Sequence, residues 1–512
     1  MSELPGKNAA LPLLTAEQMR EWDRSTTNLH GVSERLLLES AGRAAAGVMA
    51  ELYPTGRIVA AVGKGNNGGD ALVMLRCLRA WGREVTAVLQ EPEALREQLL
   101  HGWSLSAVGA EQAEAAFAGA TVIVDGLLGT GASGAPRGAV LEMIRAMRSS
   151  GRPVVALDGP SGVDLTTGEM AGDAVTADVT LTFGAPKRGH LLPPGGSRTG
   201  RLIVLEVGFA PVVRDQMSAC LINSEWATAN LPGLPWNAHK GNAGTIVVIA
   251  GRSGMSGAAI LVGMGALRSG GGVVRIISPD ENRISIQSNL PEALFISRGS
   301  DDVDDVLESA DAIVIGPGMG TDDQARRILT AAMEASSAPI IVDADALTLI
   351  SRDQSLLPDR ARARVLMTPH PLELGRLLRM EAAEIVADPF AASRQAAERF
   401  GCAVLLKGSP SMVAKTGSPT LVSVDGHSGV ATGGMGDTLA GAAGAFAAVG
   451  ATPMDAGALA LFYCGRAAEL AGRGRGLIPR DLADTIPRAL AKPVRPSTLR
   501  FPGALLDLPA PR

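Results

Sequence analysis

RIVAAVGKGNNGGDALVMLRCLRAWG, residues 57–82, runs from an apolar, β-branched stretch through a glycine-rich turn into a segment of helical periodicity. The apolar part (57–63) reads as a buried strand, and ALVMLRCLRAWG (71–82) reads as a helix. Strand, glycine turn and helix in that order make the opening of a parallel α/β sheet. The same alternation continues on either side. Apolar runs recur at 84–90, 121–129, 153–159, 178–183 and 201–208, with a helical pattern at 139–150. Upstream, TAEQMREWDRS (15–25) begins with a Thr-x-x-Gln capping pattern, and residues 35–52 form a second long helical pattern.

The alternation then restarts. Strand candidates lie at 244–251, 272–279, 311–318, 338–345, 364–370 and 402–408, with a helix at 256–270. The segment 221–242 between the two sets holds Pro232 and Pro235 and little periodicity, which puts a boundary near 215–225. The expected organisation is therefore two α/β domains, 1–220 and 221–500, rather than a repeat. The first is expected to be a Rossmann-like three-layer α/β/α domain. A length of 512 residues agrees, at about 100–200 residues per domain.

Composition narrows the function classes. Forty-seven basic against 52 acidic residues leave a net charge of −5, with aromatics at 3%, so neither nucleic acid nor an anionic membrane is expected as a partner. Cys77, Cys220, Cys402 and Cys464 are widely spaced and form no C-x-x-C. They read as reduced thiols of a cytoplasmic protein. The start, MSELPGKNAALPLL, lacks the pattern of a secretory signal. The Ala/Gly-rich run from 440, broken at Pro453 and Asp455, reads as two buried helices rather than a membrane span.

Three loops that follow strands in the first half carry a carboxylate among glycines. Gly63-Lys64-Gly65-Asn66-Asn67-Gly68-Gly69-Asp70 contains a G-x-G-x-x-G, the dinucleotide fingerprint, but ends in an acid at the expected helix start. A carboxylate there suits the helix dipole yet repels a phosphate, so the loop is suited to hydroxyls, an amide or a cation. The tandem asparagines offer neutral carbonyl oxygens. Asp125 lies in VIVDGLLGTGASGAPRG (122–138), and Asp158 and Ser161 lie in ALDGPSGVD (156–164). In a parallel sheet such loops gather at one edge, where ligands bind. Asp158, ending its strand, is expected to face the crevice, so its loss should cost little stability. In the second half, Thr432-Gly433-Gly434-Met435-Gly436-Asp437 precedes a helix expected at 437–449. Close glycine amides at a helix start make an anion hole for a phosphoryl group in transfer, with Asp437 placed to take a proton from an attacking hydroxyl.

These motifs resemble known families. TAEQMREWDR, GKGNNGGDAL, VDGLLGTG and LDGPSGVD, in that order, look like the epimerase domain of the bifunctional NAD(P)H-hydrate repair family. The resemblance implies that Asn66, Asn67, Gly68, Gly69 and Asp70 contact the hydrated nicotinamide nucleotide. It implies potassium ligands at Asn67, Asp125 and Ser161. Gly129, Thr130, Gly131, Ala132, Ser133, Gly134 and Ala135 would wrap the substrate phosphates, with Asp158 as the acid–base group. Gly159 stands where many relatives carry an aliphatic residue, and Ser40 where many carry Asn. The Gly433–Asp437 loop resembles the ribokinase-like superfamily. HKGNAGTIVVIAG (239–251), GMSGAAIL (254–261), VIGPGMG (314–320), VDADAL (342–347), TPHPLELGRL (368–377) and LLKGSPSMV (405–413) narrow that to the ADP-dependent dehydratase domain of the same repair family. On that resemblance, Ala258, Gly318, His370 and Asp437 meet the hydrated dinucleotide. Lys407, Gly408, Ser409, Pro410, Ser411 and Gly436 hold the adenine nucleotide, and Glu373 orients magnesium water. The implied substrates are NADHX, NADPHX and ADP, and a homo-oligomer is expected. The alternative is a vitamin or sugar kinase with a regulatory nucleotide-binding first domain. A non-catalytic first domain fits less well, because a scaffold has no need of Asn67, Asp125, Asp158 and Ser161.

Overall fold

The protein is described by a computed structural model covering residues 10–211, 217–234, 236–237, 242–335, 337–426, 428–495 and 497–511. The first residues of the chain, positions 215–216 of the boundary reading, and residues 239–241 of the motif at 239–251 lie outside the described residues. The chain forms two compact units. One is built from Pro12–Met217 together with C-terminal residues that include the strand Ala504–Leu508, and the other from Ser218–Arg495.

The first unit is a sheet of eight strands. β1 (Ile58–Val62), β2 (Val85–Leu89), β3 (Ser106–Gly109), β4 (Val122–Gly126), β5 (Val154–Leu157), β6 (Val179–Phe183) and β7 (Arg201–Leu205) are all parallel. Their order across the sheet is β7-β6-β5-β4-β1-β2-β3, and Ala504–Leu508 adds an antiparallel edge strand beside β7. The order reverses direction between β1 and β4, which opens a crevice at their carboxyl ends. Full burial explains the continuous apolar sequences of β1 and β5, while β2, β4 and β6, equally buried, carry Thr86, Asp125, Thr180 and Thr182 among their apolar residues. Helices α1 (Ala16–His30), α2 (Glu34–Leu52), α3 (Asn66–Ala80) and α4 (Gly138–Ser150) belong to this unit. Thr15 and Gln18 form the capping box expected from the sequence, at 3.0 and 3.1 Å. One expectation shifts. α3 begins at Asn66, so Asn66–Gly69 form its first turn, and Asp70 is inside the helix rather than at its start.

The second unit repeats the plan. β8 (Ala219–Leu221), β9 (Thr245–Ile249), β10 (Val273–Ser278), β11 (Leu294–Ser297), β12 (Ala312–Ile315), β13 (Ile340–Val342), β14 (Val365–Met367), β15 (Ala403–Leu406), β16 (Ser411–Ala414) and β17 (Thr420–Ser423) lie in the order β8-β17-β16-β15-β14-β13-β12-β9-β10-β11. From β11 to β15 the pairing is parallel, and β15, β16 and β17 form an antiparallel meander. Its direction reverses between β9 and β12. The functional loops stand at the starts of α5 (Ser256–Arg268), α6 (Ala344–Arg352), α7 (Pro371–Leu378) and α8 (Met435–Ala448). The Ala/Gly-rich run forms α8 and α9 (Pro453–Ala471), both largely buried. No helix among the described residues is long and apolar enough to cross a membrane.

Candidate active sites

In the first unit the crevice is built by close backbone approach. A side chain on Gly68 would meet the carbonyl oxygen of Gly63 at 1.8 Å, so only glycine lets α3 begin this near the end of β1. That approach brings Asn67 over the loop that follows β4. The Asn67 Nδ2 donates to the carbonyl oxygens of Leu128 (2.8 Å) and Leu157 (3.1 Å), which fixes the amide orientation. Asn67 Oδ1 is then buried with no donor facing it. Asp125 is fully buried inside β4. Its carboxylate accepts the Ser161 hydroxyl (2.7 Å), the Ser161 amide (2.8 Å) and the Leu127 amide (3.2 Å). Burial pushes Asp125 up to about 6 against these bonds. The Leu128 amide donates to Ser161 Oγ at 3.0 Å, so the Leu128 backbone, through its N–H and its carbonyl, joins Asn67 to the Asp125–Ser161 pair.

Asp158 follows β5 with φ +61°, a left-handed backbone uncommon outside glycine and found where surroundings hold it in place. Lys187 Nζ donates to its Oδ1 at 2.6 Å and to Thr182 Oγ1 at 2.7 Å, while the Thr130 amide donates to Oδ2 at 3.1 Å. The Lys187 side chain is 1% exposed. Burial alone would raise the Asp158 carboxyl. Lys187, through its charge and its hydrogen bond, leads the opposing groups, and the carboxyl is held below its usual value. His190 Nδ1 accepts the Lys187 amide at 3.1 Å, so its proton sits on Nε2, which donates to the Asp158 carbonyl at 2.8 Å. Burial, then the Lys187 charge, push this imidazole down to about 3. Asp70 is buried, and burial, with Asp158 and Asp23 next, raises its carboxyl well above the usual value. Lys187, Thr182, His190 and Asp23 were not singled out from the sequence. The signal available was a lysine and a histidine in GAPKRGH (184–190), directly after an apolar strand.

In the second unit, Lys407 directly follows β15 and its Nζ donates to Asp343 Oδ1 at 2.8 Å, with Glu373 Oε2 at 3.9 Å. A side chain on Gly436 would lie 3.4 Å from Lys407 Nζ and 3.8 Å from Asp343 Oδ2. The lysine and the acid therefore flank the first turn of α8, whose Gly436 and Asp437 amides have no intrahelical acceptor. Burial, then the Asp343 charge, lift Asp437 up to about 7, with Lys407 opposing. His370 caps α7. Its amide donates to Glu373 Oε2 at 2.9 Å, and its Nε2 lies 3.5 Å from that oxygen. Gly408 and Ser411 close the loop after Lys407, with Ser411 Oγ donating to the Gly408 carbonyl at 2.8 Å. Gly318 and Ala258 are neighbours across the β9–β12 crevice, since a side chain on Gly318 would meet Ala258 Cβ at 3.2 Å. Asp343 lay within VDADAL but carried no role in the sequence reading; the structure makes it the partner of Lys407.

Residues 34–189 match the family described as YjeF-related protein N-terminus, and residues 246–488 match NAD(P)H-hydrate dehydratase. The bifunctional NAD(P)H-hydrate repair enzyme Nnr of Escherichia coli is 35% identical over 488 residues, covering 92% of this chain and 93% of its own. The Coxiella burnetii enzyme of the same name is 34% identical, covering 91% and 96%. The chain belongs to the bifunctional NAD(P)H-hydrate repair family. Among solved structures, the ADP/ATP-dependent NAD(P)H-hydrate dehydratase of Bacillus subtilis, co-crystallised with ATP and Mg2+, is 28% identical with a TM-score of 0.48, covering 54% of this chain and 99% of that one. Gly159 lies close against the Leu165 and His190 side chains. A side chain would meet Leu165 Cδ2 at 2.5 Å and His190 Nε2 at 3.2 Å.

Proposed function

We propose that the first unit interconverts the R and S hydrates of NADH and NADPH, and that the second dehydrates the S form with ADP as phosphoryl donor. The epimerase is assigned to the first unit, Pro12–Met217 with Ala504–Leu508 joining its sheet, and the dehydratase to the second, Ser218–Arg495, close to the 1–220 and 221–500 expected from the sequence. In the dehydratase, Asp437 takes the proton of the substrate C6 hydroxyl as that oxygen attacks the terminal phosphorus of ADP, and AMP leaves. The new bond is O–P; the original C6–O bond then breaks as a proton is lost from C5, because phosphate is a better leaving group than hydroxide. Phosphate departs and the ring double bond returns. The overall change is hydrate plus ADP to NAD(P)H, AMP and phosphate. Lys407 and the Gly436 amide meet the charge that passes between the phosphates. Asp343 and Glu373 are the acids beside Lys407 that fit magnesium, which when bound would shield the diphosphate.

In the epimerase, Asp158 is the acid–base group at the hydrated carbon, and Lys187 keeps it ionised. Asn67, Asp125 and Ser161 fit potassium, because Asn67 Oδ1 is a buried acceptor aimed at no donor. Bound there, the ion would neutralise the buried Asp125 and fix the loop after β4. The observation that carries the reading is the Lys407–Asp343 pair against the glycine turn that presents Asp437. The test supplies mixed R,S-NADHX with ADP, follows NADH by absorbance and separates the nucleotides. AMP and phosphate should form in amounts equal to NADH. NADH without AMP would rule out the phosphorylated intermediate, and a stable phosphorylated alcohol would mark an ordinary kinase.

A further inference from the structure

Arg298 directly follows β11, the edge strand of the second sheet, and its amide donates to the Ser278 carbonyl at 3.0 Å. The residue is 8% exposed. Its guanidinium reaches under the crevice where the strand order reverses. One terminal nitrogen donates to the Gly251 carbonyl at 2.6 Å, the other to the Met319 carbonyl at 3.4 Å, and Nε has no acceptor. Gly251 follows β9 and Met319 follows β12, and the two loops are also joined by the Gly251 amide on the Pro317 carbonyl at 2.9 Å. No carboxylate pairs with Arg298 among the described residues; Asp322 acts on it only at longer range. A guanidinium keeps its charge when buried, and an unpaired buried charge is costly. Two carbonyl dipoles offset part of that cost and leave a net positive charge beneath the loops.

The same contacts orient an amide. In a trans peptide the carbonyl and the following N–H point in opposite directions. With the Gly251 carbonyl turned down onto Arg298, the Arg252 N–H faces away from the guanidinium. It has no acceptor among the described residues. The matching amide in the other loop, that of Gly320, is taken by Asp345 Oδ2 at 2.9 Å, whereas the Arg252 amide stays an open donor. Asn282 Nδ2 holds the Arg252 carbonyl at 2.9 Å, so the turn is braced on both sides. The exposed Arg252 side chain adds a second cation at the rim.

We infer that Arg298 and the Gly251–Arg252 peptide form an anion site for a phosphate of the hydrated dinucleotide, at the carboxyl edge of β9 and β12. The inference rests on the repair reading above. Phosphate could also come from ADP, but Lys407 and Gly436 stand at β15 and α8, whereas Ala258 and Gly318 flank the β9–β12 loops. The test compares dehydration of S-NADHX with that of the S hydrate of reduced nicotinamide riboside, which carries no phosphate, in wild type, Arg298→Met and Arg298→Lys. Loss of a charge-backed contact should raise the KM for S-NADHX about tenfold or more in Arg298→Met. The KM values for the riboside hydrate and for ADP should stay where they are, and R/S interconversion should be unchanged. Arg298→Lys should fall between the two. A parallel rise for both hydrates would make Arg298 a structural brace only, and a rise confined to ADP would give the anion site to the nucleotide. No change would also overturn the inference. Where neither variant folds, equal KM values for the two hydrates in wild type would overturn it. A wild type that restores no NADH would instead remove the repair reading itself.

Discussion

Asp437 must be without its proton before it can take one from the substrate hydroxyl. Burial, then Asp343, hold its carboxyl up to about 7, so its basic form becomes the majority only as pH rises past that value. Dehydratase kcat/KM should therefore climb about tenfold per pH unit on the acid side and level off above neutrality. Asp437→Asn should lower NADH recovery by about 10²–10⁴ and erase that limb, while R/S interconversion continues. Full activity in that variant would end the assignment. Asp158 corrects an expectation. Its position after a strand suggested a crevice-facing acid whose removal costs little. In fact its partner is a lysine with a 1% exposed side chain, and its own side chain is 13% exposed. Asp158→Ala leaves the Lys187 charge buried without its acid and should cost about 3–5 kcal/mol, read as an earlier melt of the first unit. Lys187→Met in the same chain should return part of that loss. Sequence could point to Asp158 because an acid among glycines after a strand is a local pattern. It could not reveal Lys187, whose role depends on a contact 29 residues away.

Strand–turn–helix units repeat in both halves, and the long parallel strands were legible because burial on both faces leaves continuous apolar runs. The edges were not. Ser106–Gly109 is exposed or half-buried along its length and has no apolar run to read, and the apolar run of Leu294–Ser297 is only Leu294-Phe295-Ile296, too short to stand out. Ala504–Leu508 pairs with β7 across most of the chain, a contact that no local pattern announces. Both sheets place their reversal beside the strand that opens the parallel series, between β1 and β4 and between β9 and β12. That is why the glycine loops quoted from the sequence meet in pairs. α3 carries the cation argument, since its early start sets Asn67 Oδ1 in a buried position with no donor. Exchanging potassium for tetramethylammonium, too large for such a position, should slow R/S interconversion and leave NADH formation from pure S hydrate unchanged. Asn67→Ala should remove the dependence on potassium. Equal epimerisation rates in both salts would reject the site.

Two chemistries on separate sheets of one chain predict how a mixed hydrate pool is consumed. Asp158→Asn keeps the size of the side chain beside Lys187 but removes the carboxylate that would act on the hydrated carbon. The second unit retains Lys407, Asp343 and Asp437 and should still consume the S hydrate with ADP. The R hydrate must then wait for its own uncatalysed epimerisation. The time course of NADH should show a fast phase equal to the S fraction and a slow tail for the remainder. Asp437→Asn has the opposite defect: it should epimerise the pool and restore almost no NADH. Mixing the two full-length variants supplies each missing step from the other chain, because the hydrates diffuse freely between molecules. The tail should shorten as Asp437→Asn is added, in proportion to its concentration, while the amplitude of total NADH stays constant. A single fast phase from Asp158→Asn alone would show that another group performs the epimerisation. A tail unaffected by folded, substrate-binding Asp437→Asn would show that the first unit does not interconvert the hydrates.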